Sequence, residues 1–96
     1  MSKSQTKYEI VLESRRIEKD WKNLEQLFPD KMEECKAFLR NNPEDRTKAI
    51  GKLKKLKSPY NEILQYDITK DNYRVWYKVS KRDKRVIIKY AGAHPD

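Results

Sequence analysis

The sequence predicts a small α+β domain: an N-terminal strand, a two-helix hairpin and a three-stranded antiparallel meander, in the order β-α-α-β-β-β. Three observations predict it. Apolar residues alternate near the start of the chain and change at Ser14 to helical spacing. Pro29 and the run Asn41-Asn42-Pro43 cut the helical stretch into two short pieces. Three runs rich in Val, Ile, Tyr and Trp then follow in quick order. Two helices with one apolar stripe each cover one face of a small twisted sheet, which leaves the other face open. Residues 1–96 read as one domain, too small for a deep internal cavity, so any site is expected in a surface cleft.

In YEIVLES (8–14), Tyr8, Ile10 and Leu12 share one face and Glu9 and Glu13 the other, the period of a half-buried strand. From Ser14 onward, Ile17, Trp21, Leu24 and Leu27/Phe28 recur as one helix stripe. Pro29 cannot continue that helix but can begin another, with Asp30 beside it able to cap. Met32, Cys35 and Leu39, with Phe38 at the edge, give the second helix its buried side before NNP (41–43) stops it. Both stripes read as core. Residues 44–61 read as a loop with one helical turn. Ile50, Leu53 and Leu56 recur there every third residue, so the leucines are expected to pin the loop to the domain while its lysines stay in solvent. EILQYDI (62–68), YRVWYKV (73–79) and RVIIKY (85–90) are the meander strands, and the polar linkers TKDN and SKRDK suit hairpins.

Composition narrows the function. Charged residues make up 40% of the chain against 36% hydrophobic, yet two Trp, six Tyr and two Phe argue against disorder. No apolar run approaches a membrane span, and MSKSQTKYEI has no signal-peptide core. Cys35 stands alone, which excludes an internal disulfide, makes it a small core residue and points to a reducing cytoplasm. The net charge of +8 is uneven. Residues 1–47 carry ten Lys/Arg and ten Asp/Glu, whereas residues 48–96 carry thirteen against five. Such asymmetry suggests a polyanionic partner, and without a strongly apolar amphipathic helix in the basic half that partner is nucleic acid rather than a membrane.

The open face of the sheet offers the parts. In YRVWYKV, Arg74, Trp76 and Lys78 share the side opposite Tyr73, Val75, Tyr77 and Val79, and alternation adds Lys89 from RVIIKY while turning Tyr90 toward the helices. Cations flanking an aromatic suit single-stranded RNA, with phosphates on the charges and a base on the ring; they also suit an ordinary solvated face. The same two readings hold for Lys52, Lys54, Lys55 and Lys57. His94, the one histidine, follows the last strand behind Ala91-Gly92-Ala93, a small-residue step able to turn the imidazole back over the open face. An imidazole near an arginine and several lysines has the groups that RNA transesterification needs: one to take the 2′-hydroxyl proton, a cation for the pentavalent phosphate and an acid for the leaving 5′-oxygen. No His, Cys or carboxylate cluster stands at metal-ligand spacing, and no cofactor or metal is expected.

The segments DNYRVWYKV and RVIIKYAGAHPD, following a strand and a helical hairpin, resemble the RelE/ParE toxin superfamily of type II toxin–antitoxin systems, as does LKKLK before the second strand. The GAHPD ending is most similar to the YafQ-like members. The resemblance implies a ribosome-dependent endoribonuclease that cuts mRNA in the ribosomal A site, with Arg74 stabilising the phosphate and His94 acting on the leaving group. It also implies a cognate antitoxin that covers the site, in a complex able to bind its operator DNA. RelE-like members carry lysines on the preceding strand, where this sequence has Gln65 and Asp67; Asp67 is then either a carboxylate general base or an ordinary solvated surface residue. Two alternatives accompany this reading. The ParE branch inhibits DNA gyrase without cutting RNA, and a non-catalytic RNA- or partner-binding module could keep the same scaffold.

Overall fold

Residues 7–56, 62–70 and 72–93 are described by the computed structural model; the sequence-predicted sites Lys57 and His94 lie outside them. Strand β1 spans Glu9–Leu12, and Ser14 then caps helix α1, Arg15–Leu27, by accepting a hydrogen bond from the Ile17 amide at 3.2 Å. Ile17, Trp21 and Leu24 face inward, while Leu27 turns out and leaves Phe28 to pack on Tyr73. Helix α2, Pro29–Asn41, starts with proline in its first turn, where the missing N–H costs nothing. Asp30 does not cap it; it sits in the first turn, where a carboxylate favours the helix dipole. Met32, Cys35, Phe38 and Leu39 are buried as the spacing predicts.

The meander is present, as strands β3 (Leu64–Asp67), β4 (Tyr73–Ser80) and β5 (Arg85–Ala93), within a five-stranded sheet of order β1-β5-β4-β3-β2. Strand β1 runs parallel to β5 and all other pairs are antiparallel. Two features depart from the sequence reading. Residues 44–61, whose pattern predicts a loop, contain a 3-10 turn at Arg46–Lys48 and then a short strand β2 (Leu53–Lys55) that pairs with β3. Leu53 pins it to the core, whereas Ile50 is 83% exposed. Strand β5 also runs three residues past Tyr90, to Ala93.

The core lies between the helices and one face of the sheet, centred on Leu24, Met32, Leu39, Val75, Tyr77, Val86 and Ile88. Each fully buried aliphatic of this kind contributes about 1.5–3 kcal/mol. Burial raises the Tyr77 phenol pKa, and its hydroxyl donates to the Pro43 carbonyl at 2.5 Å, tying the loop after α2 to the core. Residues 75 and 77 therefore point at the helices, and 74, 76 and 78 project from the opposite face.

Candidate functional site on the open face

Register builds the site. On β4, Arg74 pairs with Asp67 of β3 on one side and with Gly92 of β5 on the other. Gly92, at φ +141°, adopts a backbone conformation that side chains resist, and a Cβ there would meet nothing closer than the Tyr90 hydroxyl oxygen at 3.7 Å. The flank of Arg74 toward β5 thus carries no side chain. The Arg74 Nε is buried and has no hydrogen-bond partner among the described residues, a costly state for a charged donor and one that calls for a functional account.

Asp67, 6% exposed, gives its oxygens elsewhere. Gln65 Nε2 donates to Oδ1 at 2.9 Å, and Lys54 Nζ lies 3.4 Å from Oδ2. The indole N–H of Trp76 in turn donates to Gln65 Oε1 at 3.0 Å, which fixes which end of the amide faces Asp67. A continuous row, Trp76–Gln65–Asp67–Lys54, crosses β4, β3 and β2 on the open face. The carboxylate is held by two donors and keeps lone-pair capacity for a third.

Tyr90 overturns its sequence-based placement. The β4–β5 register shifts between Trp76 and Tyr77: Trp76 faces Tyr90 while Tyr77 faces Ile88. Lys89 is the inserted residue of this β-bulge, which resets alternation and brings Tyr90 to the open face. Its ring lies 5.5 Å from that of Trp76, at 50°, and its hydroxyl donates to the Ala93 carbonyl. Lys89 does not join Arg74 and Lys78; Glu13 holds its amine at 2.6 Å, beyond the end of β1.

The predicted RNA-facing lysines are more engaged than their sequence suggests. Lys52 pairs with Glu34 of α2 at 2.7 Å, away from the Arg74 row, and Lys78 pairs with Glu62 at 2.9 Å. The Lys52 and Lys78 ammonium groups hold the carboxyls of Glu34 and Glu62 below the usual carboxylate range, chiefly by hydrogen bonding. Lys55 is exposed. The described chain ends at Ala93, paired with Tyr73 one position along from Arg74. No group of three or more metal-ligating side chains occurs among the described residues, and no helix there is long and apolar enough to cross a membrane.

The sequence reading missed two members of this site, Gln65 as a relay and Tyr90 as the second aromatic. A buried glutamine in an alternating strand is a signal for the first; the bulge left none for the second.

Comparison with known proteins bears on the fold. The sequence matches no family model and no curated relative. Among solved structures, the chain is similar to one described as a YoeB/ParE toxin from Agrobacterium tumefaciens, with 19% sequence identity, a TM-score of 0.68, and coverage of 91% of this chain and 99% of that one. The two share a fold, the one that the resemblance in the sequence implies.

Proposed function

We propose that this chain is a toxin of the RelE/ParE kind that cleaves mRNA in the ribosomal A site and is neutralised by a cognate antitoxin. The observation that carries this reading is the buried, unpartnered Nε of Arg74, flanked by a fixed carboxylate and a glycine on the open face of a toxin-like fold. The chemistry is a transesterification. The 2′-oxygen attacks the adjacent phosphorus as its proton leaves, the bond from phosphorus to the 5′-oxygen breaks, and the products are a 2′,3′-cyclic phosphate and a 5′-hydroxyl. Arg74 stabilises the charge that builds on the equatorial phosphate oxygens. Asp67, held by Gln65 and Lys54, is the carboxylate next to Arg74 in the sheet and takes the 2′-proton. His94 gives a proton to the leaving oxygen, and the Trp76–Tyr90 pair stacks a neighbouring base. Every proton in this scheme moves between the substrate and a side chain.

Primer extension on an mRNA held in translating ribosomes tests the proposal, with wild-type, Arg74→Ala and His94→Ala proteins. Cleavage within the A-site codon that is lost in both variants is the expected result. Intact mRNA beside clear toxicity to cells would overturn it and favour gyrase as the target, the ParE alternative.

A further inference from the structure

A cleft of about 750 Å³ rounds the corner of the sheet where β2 begins and β3 ends, reaching from Asp67 on the open face to α2. Four lysines line it, Lys31, Lys52, Lys54 and Lys70, against two carboxylates, Glu34 and Asp67. Lys52 and Lys54 are committed to those carboxylates at 2.7 and 3.4 Å. Lys31 and Lys70 are exposed and have no ion-pair partner among the described residues, so the cleft carries two uncompensated positive charges. Ile68 supplies an apolar floor. At Gly51, whose φ is +77°, no heavy atom lies within 4 Å of where a Cβ would stand, which leaves that wall open.

We propose that this cleft is a second phosphate subsite, taking a phosphodiester of the same single-stranded RNA whose scissile phosphate lies at Arg74. The inference rests on the cleavage reading above and names where the substrate strand goes. Its wall contains Asp67, the cross-strand partner of Arg74, so a strand passing Arg74 enters the cleft without leaving the protein surface. Antiparallel partners stand about 5 Å apart and the next strand about 5 Å further, distances that one nucleotide or two bridge. Lys31 and Lys70 meet the phosphate as point charges, and the sugar or base lies over Ile68 and Gly51. Because recognition is by charge and an apolar floor, the subsite is indifferent to sequence. An acidic peptide satisfies the charge but gives no account of the continuity with Arg74.

The test is fluorescence anisotropy with a labelled 2′-O-methyl oligouridylate, which lacks the nucleophile and cannot be cleaved, titrated across a salt series. Wild type is compared with Lys31→Gln/Lys70→Gln and with Lys19→Gln/Lys22→Gln, an equal loss of charge on the exposed side of α1. The cleft variant should bind several-fold more weakly and lower the slope of log K against log salt by about 0.7, the value for one single-strand phosphate contact. The α1 variant should keep the wild-type slope. An unchanged slope in the cleft variant, or an equal drop in both variants, would overturn the subsite. So would an oligoglutamate that binds more tightly than the RNA with the same dependence on Lys31 and Lys70, which would assign the cleft to an acidic protein segment. The two readings fail separately. A-site cleavage lost with Arg74→Ala beside an unchanged slope removes the subsite alone, whereas no cleavage by wild type beside the expected slope removes the nuclease alone.

Discussion

Replacing Trp76 by Phe deletes the N–H that orients Gln65 while keeping an aromatic ring beside Tyr90. The indole donates to Gln65 Oε1 at 3.0 Å, and Gln65 is 5% exposed, so water cannot readily take the donor's place. Loss of a neutral hydrogen bond costs about 1 kcal/mol, and leaving a buried acceptor unpaired costs about 1–3 kcal/mol. The amide can avoid that cost by turning over, but its oxygen would then face Asp67 Oδ1, where the amide nitrogen now stands at 2.9 Å. Either outcome loosens the Asp67 carboxylate. If about 1.4 kcal/mol of that loosening reaches the transition state, the cleavage rate falls about tenfold. The fall should appear in the single-turnover rate on programmed ribosomes rather than in RNA affinity, because stacking survives. Urea unfolding should show a loss of about 1–2 kcal/mol. Gln65→Ala should reproduce the rate defect, and adding Trp76→Phe to it should cost little more, since both act through one hydrogen-bonded row. Rates for the two changes that multiply in full would refute the relay.

Arg74→Met should abolish cleavage, with a loss of at least about a hundredfold, yet leave the unfolding free energy unchanged or higher by about 1–3 kcal/mol, because it removes a buried donor without a partner; a destabilised variant in urea melts would make Arg74 structural. Cys35 is fully buried and burial pushes its thiol pKa up, so iodoacetamide should label it only through unfolding, with native and denatured rates compared by mass spectrometry. The carboxyls of Glu34 and Glu62 are held below their ordinary value of 4.5 by Lys52 and Lys78. Their folded pKa values are depressed, so the stability they add is present above that value and declines as pH falls through the folded values. Thermal melts should therefore show an acid-side loss beginning below about pH 4.5, and Lys52→Gln/Lys78→Gln should flatten it.

Much of this architecture was legible in the sequence because its signals are periodic. Ile17, Trp21 and Leu24 could only form one helix stripe, and Val75 and Tyr77 could only turn away from Arg74 and Trp76. Strand β2 was hidden because three residues cannot express a period, and Leu53 with Leu56 mimics a helical turn as well as a strand. The bulge at Lys89 was hidden for a different reason. Alternation is a rule about unbroken pairing, and one inserted residue exchanges the faces of everything after it. Asp67 came to notice only through the resemblance, and its place beside Arg74, like its relation to Gln65 and Lys54, required the strand order and register, which no local pattern contains.

The engaged lysines change how the positive charge of this chain has to be understood. Lys52, Lys54, Lys78 and Lys89 each face a carboxylate, so the uncompensated positive charge comes from groups such as Arg74 on the open side and Lys31 and Lys70 at the corner cleft rather than from the basic run as a whole. Pairs as exposed as Lys78–Glu62 hold weakly and are screened by salt. One phosphate gains little by displacing a carboxylate, because it exchanges one anion for another. Several phosphates on one chain can displace several carboxylates together, and the ordering cost of the strand is then shared among them. On the proposed function, a surface built this way would favour a chain of linked charges over isolated anions. Arg74 differs from these four lysines in having, among the described residues, no internal partner to surrender at Nε, so in the proposed cleavage a phosphate would displace no carboxylate there.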